Sequence, residues 1–219
     1  KLGSREMSAG SDLDLIVIYD FDQQVVETDG QRPLAPAQYY ARLTQRLISA
    51  LSAPTSEGSL YDVDMRLRPS GQQGPVATRL KSFRDYQSNE AWTWEHMALT
   101  RARVIAGPQH LREQVEAAIR DCLTQPRDRT KIANEVRQMR ERIAAEKGTT
   151  NHWDIKQVRG GLIDLEFIAQ FLQLIHAAEH PDVLETSTLG ALRRLRDKGL
   201  LSPHHAEVLL PAGRLLSDL

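Results

Sequence analysis

Asp12 to Tyr19 reads DLDLIVIY, and this octapeptide decides the fold. Apolar and β-branched residues dominate it, the composition of a mostly buried strand. Strand alternation sets Asp12, Asp14, Ile16 and Ile18 on one face, with Leu13, Leu15, Val17 and Tyr19 on the other. The two acids therefore point the same way. A second strand is expected at Tyr61 to Arg68 (YDVDMRLR), where Tyr61, Val63, Met65 and Leu67 form an apolar face. Asp62, Asp64, Arg66 and Arg68 form its charged face, and Pro69, with no amide hydrogen to give a ladder, ends it.

Around these strands the pattern turns helical. Pro36 to Leu51 carries Tyr40, Leu43, Leu47 and Leu51 near helical spacing. Phe83 to Leu99 reads as one or two helices bearing Trp92 and Trp94, and Arg101 to Ile105 as a last short strand. Gly107-Pro108 is the expected domain boundary. Beyond it, Leu111, Val115, Ala118 and Cys122 mark one helix, and Ile132, Val136, Met139 and Ile143 another. A loop from Lys147 to Gly161 follows, then Asp164 to Ala178, apolar nearly all round and suited to the centre of a bundle. Leu189, Leu192 and Leu195 belong to a further helix ending at Gly199, and Ser202-Pro203 opens the last one. The fold expected is α+β: a mixed-sheet domain with flanking helices at 1–106, then an all-α helical bundle at 107–219. The start at Lys1 and the end at Leu219 are abrupt, so a longer parent protein is expected, with both domains trimmed at their outer ends.

Composition narrows the function classes. Hydrophobic residues are 41% and charged residues 26%, ordinary globular values. With 28 basic and 29 acidic residues the net charge is −1, so no basic excess favours non-specific nucleic-acid binding. No apolar run is long enough for a transmembrane helix or a signal peptide. A cytoplasmic location, without nucleic acid or membrane as partner, is expected. The single cysteine, Cys122, reads as a buried core thiol.

The chemistry lies in the acids. Asp12 and Asp14 share a strand face, and concentrated like charge calls for a neutralising cation. A donor set of carboxylates alone suits Mg²⁺ or Mn²⁺ rather than zinc. A third carboxylate from a neighbouring strand would allow a two-metal arrangement. The Gly3-Ser4 turn offers amides and a hydroxyl to phosphate oxygens. The bland alternative is that Asp-x-Asp marks a solvated strand end, and that Asp62 and Asp64 balance Arg66 and Arg68. Trp92 and Trp94 fit either adenine stacking or a core, and a short helix favours the core. His96 and His152 read as structural or surface groups, since neither has a partner at ligand spacing.

The string KLGSREMSAGSDLDLIVIYD resembles the glycine-serine and double-aspartate signature of polymerase-beta-like nucleotidyltransferases. It is more narrowly similar to the glutamine synthetase adenylyltransferases, whose pattern runs KLGGxE…SDLDL. The likeness continues through YDVDMRLRPSGQQGP, NEAWTWEHMALTRARVIAGP and DIKQVRGGLIDLEFIAQFLQL, so it covers most of the chain. Ser4 departs from the usual second glycine. The resemblance implies a polymerase-beta-like palm and an enzyme that moves AMP from ATP to a tyrosine hydroxyl of glutamine synthetase, within nitrogen regulation. It implies Asp12, Asp14 and Asp64 as catalytic metal ligands, Asp64 as general base, and Gly3 and Ser4 at the triphosphate. Arg66 and Arg68 become candidates to grip phosphate oxygens, with charge balance as their alternative. Lys156, beside Arg159, Gly160 and Gly161, is a candidate phosphate ligand from the helical half. Asp164 is either a helix cap or part of a shared motif.

Family members have two related halves, one attaching AMP and one removing it by phosphorolysis. Asn89 to His96 (NEAWTWEH) resembles the attaching half. A PII signal protein is implied as a partner of the full-length enzyme. The rivals are the removing half and a nucleotide-binding regulatory domain without catalysis; a nucleic-acid polymerase fits poorly with the near-neutral charge.

Overall fold

The computed structural model describes residues 2–7, 11–58 and 61–218; Lys1 and 8–10 of the first signature lie outside the described residues. The chain is mostly helical, with two small parallel sheets. Strands β1 (Leu13–Asp14), β2 (Val17–Tyr19), β3 (Val63–Asp64) and β4 (Ala77–Arg79) all precede residue 80. Helices α1 (Pro36–Leu51) and α2 (Leu80–Asn89) accompany them, and α3 (Thr93–Leu99) follows. The rest is α4 (Gln109–Leu123), α5 (Arg129–Lys147), α6 (Leu162–His176), α7 (Thr188–Asp197) and α8 (Pro203–Asp218).

Two compact units divide the chain, one of residues 1–91 and 104–118, the other of residues 92–103 and 119–219. In the first unit, the run from Asp12 to Tyr19 is not one strand on one partner. β1 pairs with β3 and β2 pairs with β4, both parallel where a mixed sheet is expected from sequence. The extended run thus changes partner at Leu15-Ile16. The strand expected at Tyr61 to Arg68 stops at Asp64, well before Pro69. Asp64 Oδ1 accepts the Arg66 amide at 2.8 Å, and this local turn takes the donor that a continuing ladder would use. β4 escapes sequence reading because three residues carry too little alternation. Arg101 to Ile105 is turn and loop, not the strand expected.

α1 lies against β4, and its Tyr40 stacks on Tyr19 with centroids 4.3 Å apart. Leu43, Leu47 and Leu51 on the same helix stay exposed. Arg79 closes the edge of β4, paired with Asp20 at 3.1 Å and lying 4.1 Å over the Phe21 ring.

In the second unit α6 packs on α3, α5, α7 and α8. Its core joins Leu165 and Ala169 to Ala191, Leu192, Leu195, Leu201, Ala206 and Leu210. Capping explains the boundaries. Asp128 accepts the Lys131 amide at 3.0 Å to start α5, and Ser187 accepts from Gly190 to start α7. Ser202 Oγ accepts the His205 amide, and Pro203 holds the first position of α8. The tryptophans do not join this core: Trp92 is 70% exposed and Trp94 38%. A seven-residue helix has one inward stripe, which His96, Met97 and Leu99 occupy together with Glu95.

Cys122 is buried, as expected of a core thiol. Arg127 reaches past it, donating to the Cys122 carbonyl and to His96 Nδ1, both at 2.9 Å. Burial pushes the Cys122 thiol above its ordinary 9.0, although Arg127 pulls the other way. Its stabilising effect is therefore complete below that value and fades as pH rises past it. At neutral pH a soluble thiol reagent should label Cys122 only as fast as the unit opens. Rapid stoichiometric labelling of the native chain would contradict the burial.

Candidate active site

The parallel pairing of β1 with β3 sets Leu13 beside Val63 and Asp14 beside Asp64. Main-chain bonds hold that register: the Leu13 amide donates to the Asp62 carbonyl at 2.7 Å, and the Leu15 amide to the Asp64 carbonyl at 2.8 Å. Register partners on parallel strands project to one side of a sheet, about 4.8 Å apart. Carboxylates fifty residues apart in sequence thus become lateral neighbours. Asp12, expected on the same face, precedes the first residue of β1. Asp12 and Asp14 are exposed, while the Asp64 side chain keeps only 14% of its surface.

Arg66 answers this charge. Its Nε donates to Asp64 Oδ1 at 3.0 Å and to Oδ2 at 2.7 Å, and its Nη2 makes a further close bond to Oδ2. The Arg66 hydrogen bond holds the Asp64 carboxyl below the usual carboxylate range, against the opposing effect of burial. Arg66 is raised in turn, first by Asp64 and further by the nearby charges of Asp12 and Asp14. The Arg66 guanidinium is thus paired with Asp64 and feels the charges of Asp12 and Asp14.

Among the described residues, no three acidic, histidine or cysteine side chains close on a common point. Asp14 and Asp64 lie side by side on adjacent strands, and Arg66 is paired with Asp64. Oxygen-only donors suit a hard divalent cation, and Arg66 occupies Asp64 in the place of one.

Gly3 and Ser4 are the middle of a turn in which the Arg5 amide donates to the Leu2 carbonyl at 3.3 Å. Arg68 is buried and braces its own loop, donating to the carbonyls of Met65 (2.7 Å), Gln72 (3.2 Å) and Gly74 (3.3 Å). Nothing in the alternation of YDVDMRLR signals that role, since it depends on the turn after Asp64. Lys156 is an exposed residue of the second unit, in the loop before α6.

That loop is built from within. Gly160 has φ +81°, the left-handed region that favours glycine, and its amide donates to Asp164 Oδ2 at 2.5 Å. A Cβ on Gly161 would collide with the Ile155 carbonyl oxygen, so the loop's own backbone explains this glycine. Asp164, in the first turn of α6, also pairs with Arg140 of α5. Glu166, two residues on, takes Arg101 at 3.1 Å. Between α5 and α6 runs a groove of about 1280 Å³, floored by Val136, Phe167, Ile168 and Phe171. Sequence reading assigned those α6 aromatics to a bundle core and missed the groove, which depends on how the two helices diverge.

The chain belongs to the glutamate-ammonia ligase adenylyltransferase family, whose sequence profile matches residues 1–118. Residues 130–219 match a second profile, that of GlnD PII-uridylyltransferase. Across all 219 residues the chain is 59% identical to a bifunctional glutamine synthetase adenylyltransferase/adenylyl-removing enzyme of Rhodopseudomonas palustris. It is 56% identical to the enzyme of that name in Bradyrhizobium diazoefficiens, and 55% identical over 220 residues to the one in Xanthobacter autotrophicus. All of this chain is aligned in each case, but it spans only 22% of the length of these relatives. Among the described residues no helix is long and apolar enough to cross a membrane.

Proposed function

We propose that this chain carries the AMP-attaching centre of a glutamine synthetase adenylyltransferase. Residues 1–106 would form its polymerase-beta-like palm and residues 107–219 a helical bundle. The register of Asp14 on Asp64 carries the reading, because it sets side by side two of the three carboxylates the reading needs. The family membership and the likeness of Asn89 to His96 to the attaching half support it.

In this reading ATP is bound with Gly3, Ser4 and Arg66 toward its phosphates. A tyrosine hydroxyl of glutamine synthetase attacks the α-phosphorus, the bond from that phosphorus to the pyrophosphate oxygen breaks, and the tyrosine proton passes to Asp64. Asp64 is the candidate for this role by the family resemblance; Arg66 holds its pKa down, which makes it a weaker base until that pairing is released. Mg²⁺ or Mn²⁺ held by Asp12, Asp14 and Asp64 would lower the pKa of the attacking hydroxyl and offset the charge on the leaving pyrophosphate. The protein's own share is positioning. The profile match at residues 130–219 supports a PII signal protein as a partner of the longer enzyme.

The relatives' double name favours one alternative, removal of AMP by phosphate. Mass spectrometry separates the two. Glutamine synthetase incubated with this chain, Mg²⁺ and ATP should gain one AMP on a tyrosine. ADP released from adenylylated glutamine synthetase and phosphate, without the first reaction, would assign the removing half instead. Neither product would leave a domain without catalysis.

A further inference from the structure

Arg66 is placed oddly for a residue that only grips phosphate. Both oxygens of Asp64 are engaged by it, Oδ1 by Nε and the Arg66 amide, Oδ2 by Nε and Nη2. An Asp64 so occupied has no oxygen free of a donor to offer a cation. Yet the Arg66 side chain is 68% exposed. Its backbone amide bond to Oδ1 fixes the Asp64 carboxylate independently of the guanidinium. The guanidinium can therefore leave while the carboxylate keeps its orientation.

We propose that Arg66 is a resident counterion of the Asp12, Asp14 and Asp64 cluster, competing with the divalent cation for Asp64 and passing to the nucleotide's phosphates when that cation binds. The inference rests on the reading of these three acids as cation ligands. It adds an order of events to that reading. Without nucleotide, Arg66 keeps the carboxylates neutralised and the cation bound weakly. With a cation–triphosphate complex, the displaced guanidinium finds a second anion, for which its planar donors are suited. Cation and nucleotide then bind each other's site more tightly than either binds alone, a reciprocal coupling.

Calorimetric titration of Mn²⁺ into the nucleotide-free 219-residue chain tests this, with circular dichroism confirming that each variant is folded. Arg66→Gln should bind Mn²⁺ about three- to tenfold more tightly than the unsubstituted chain, the range of a solvent-facing but bidentate ion pair. The same variant should bind the Mn²⁺ complex of a non-hydrolysable ATP analogue more weakly. These opposite signs are what a purely structural arginine cannot produce. Unchanged or weaker Mn²⁺ binding in Arg66→Gln overturns the counterion role, and so does unchanged affinity for the analogue. Asp64→Asn separates the two levels. If it lowers Mn²⁺ affinity while Arg66→Gln leaves it unchanged, the cation site stands and the counterion fails. If Asp64→Asn leaves Mn²⁺ binding intact, both fail.

Discussion

Asp14→Asn should reduce AMP transfer about a thousandfold, the scale on which removal of one preorganised charge-stabilising group acts, and leave the unfolding midpoint nearly unchanged. The separation follows from where the residue sits. β1 is held by main-chain bonds, Leu13 amide to Asp62 carbonyl and Leu15 amide to Asp64 carbonyl, and neither involves the Asp14 side chain. Asp14 is exposed, and asparagine has the same shape, so no cavity and no buried unpaired group results. What disappears is one negative charge beside Asp64. A divalent cation held by an oxygen cluster loses a ligand and part of its electrostatic well, and the attacking hydroxyl is then no longer acidified. Relieving repulsion between neighbouring carboxylates should even raise stability slightly. Mass spectrometry of AMP-modified glutamine synthetase gives the first quantity and a denaturant melt the second. Turnover equal to the unsubstituted chain would remove Asp14 from the site, and a collapsed melt would show that the side chain serves the fold instead.

Legibility in the sequence varied with the range of the interaction. The strand at Asp14 was legible, because its apolar, β-branched composition is a local property of the chain. The meeting of Asp14 with Asp64 was not derivable from spacing. Nothing between residues 14 and 64 encodes register, and the third acid entered through family resemblance. The octapeptide's change of partner at Leu15-Ile16 was also hidden, since both of its halves have the same strand composition. Helices fared better: α6 was readable from its continuous apolar run, and α8 from Ser202-Pro203. The errors came where a polar side chain redirected the backbone. Asp64 captures the Arg66 amide, ends the strand early and sends Arg68 into its own loop. Alternation alone had placed both arginines on the aspartates' face, and only Arg66 remains against them.

The largest effect on stability should come from the second unit, at Leu192. This residue lies on α7 between Ser187, which caps the helix, and the turn at Gly199. It is 0% exposed and belongs to a cluster with Leu165, Ala169, Val183, Leu195 and Leu210. Neighbours from α6 and α8 surround it, so the space left by a shorter side chain cannot be filled by moving one helix alone. Leu192→Ala should therefore cost about 2–5 kcal/mol, from lost transfer free energy together with the cavity left behind. Against a total of roughly 5–15 kcal/mol for an ordinary domain, that is a substantial fraction. Val208→Ala on the exposed side of α8 provides the control, with an expected change within about 0.5 kcal/mol. Most of the described helix lies in this unit, so far-UV circular dichroism in urea follows chiefly its unfolding. The midpoint should fall with the slope unchanged, as for a change in stability without a change in the surface exposed. A loss below about 1 kcal/mol would mean that α7 is not packed between α6 and α8 as described, because only a site free to collapse tolerates the deletion of three buried carbons.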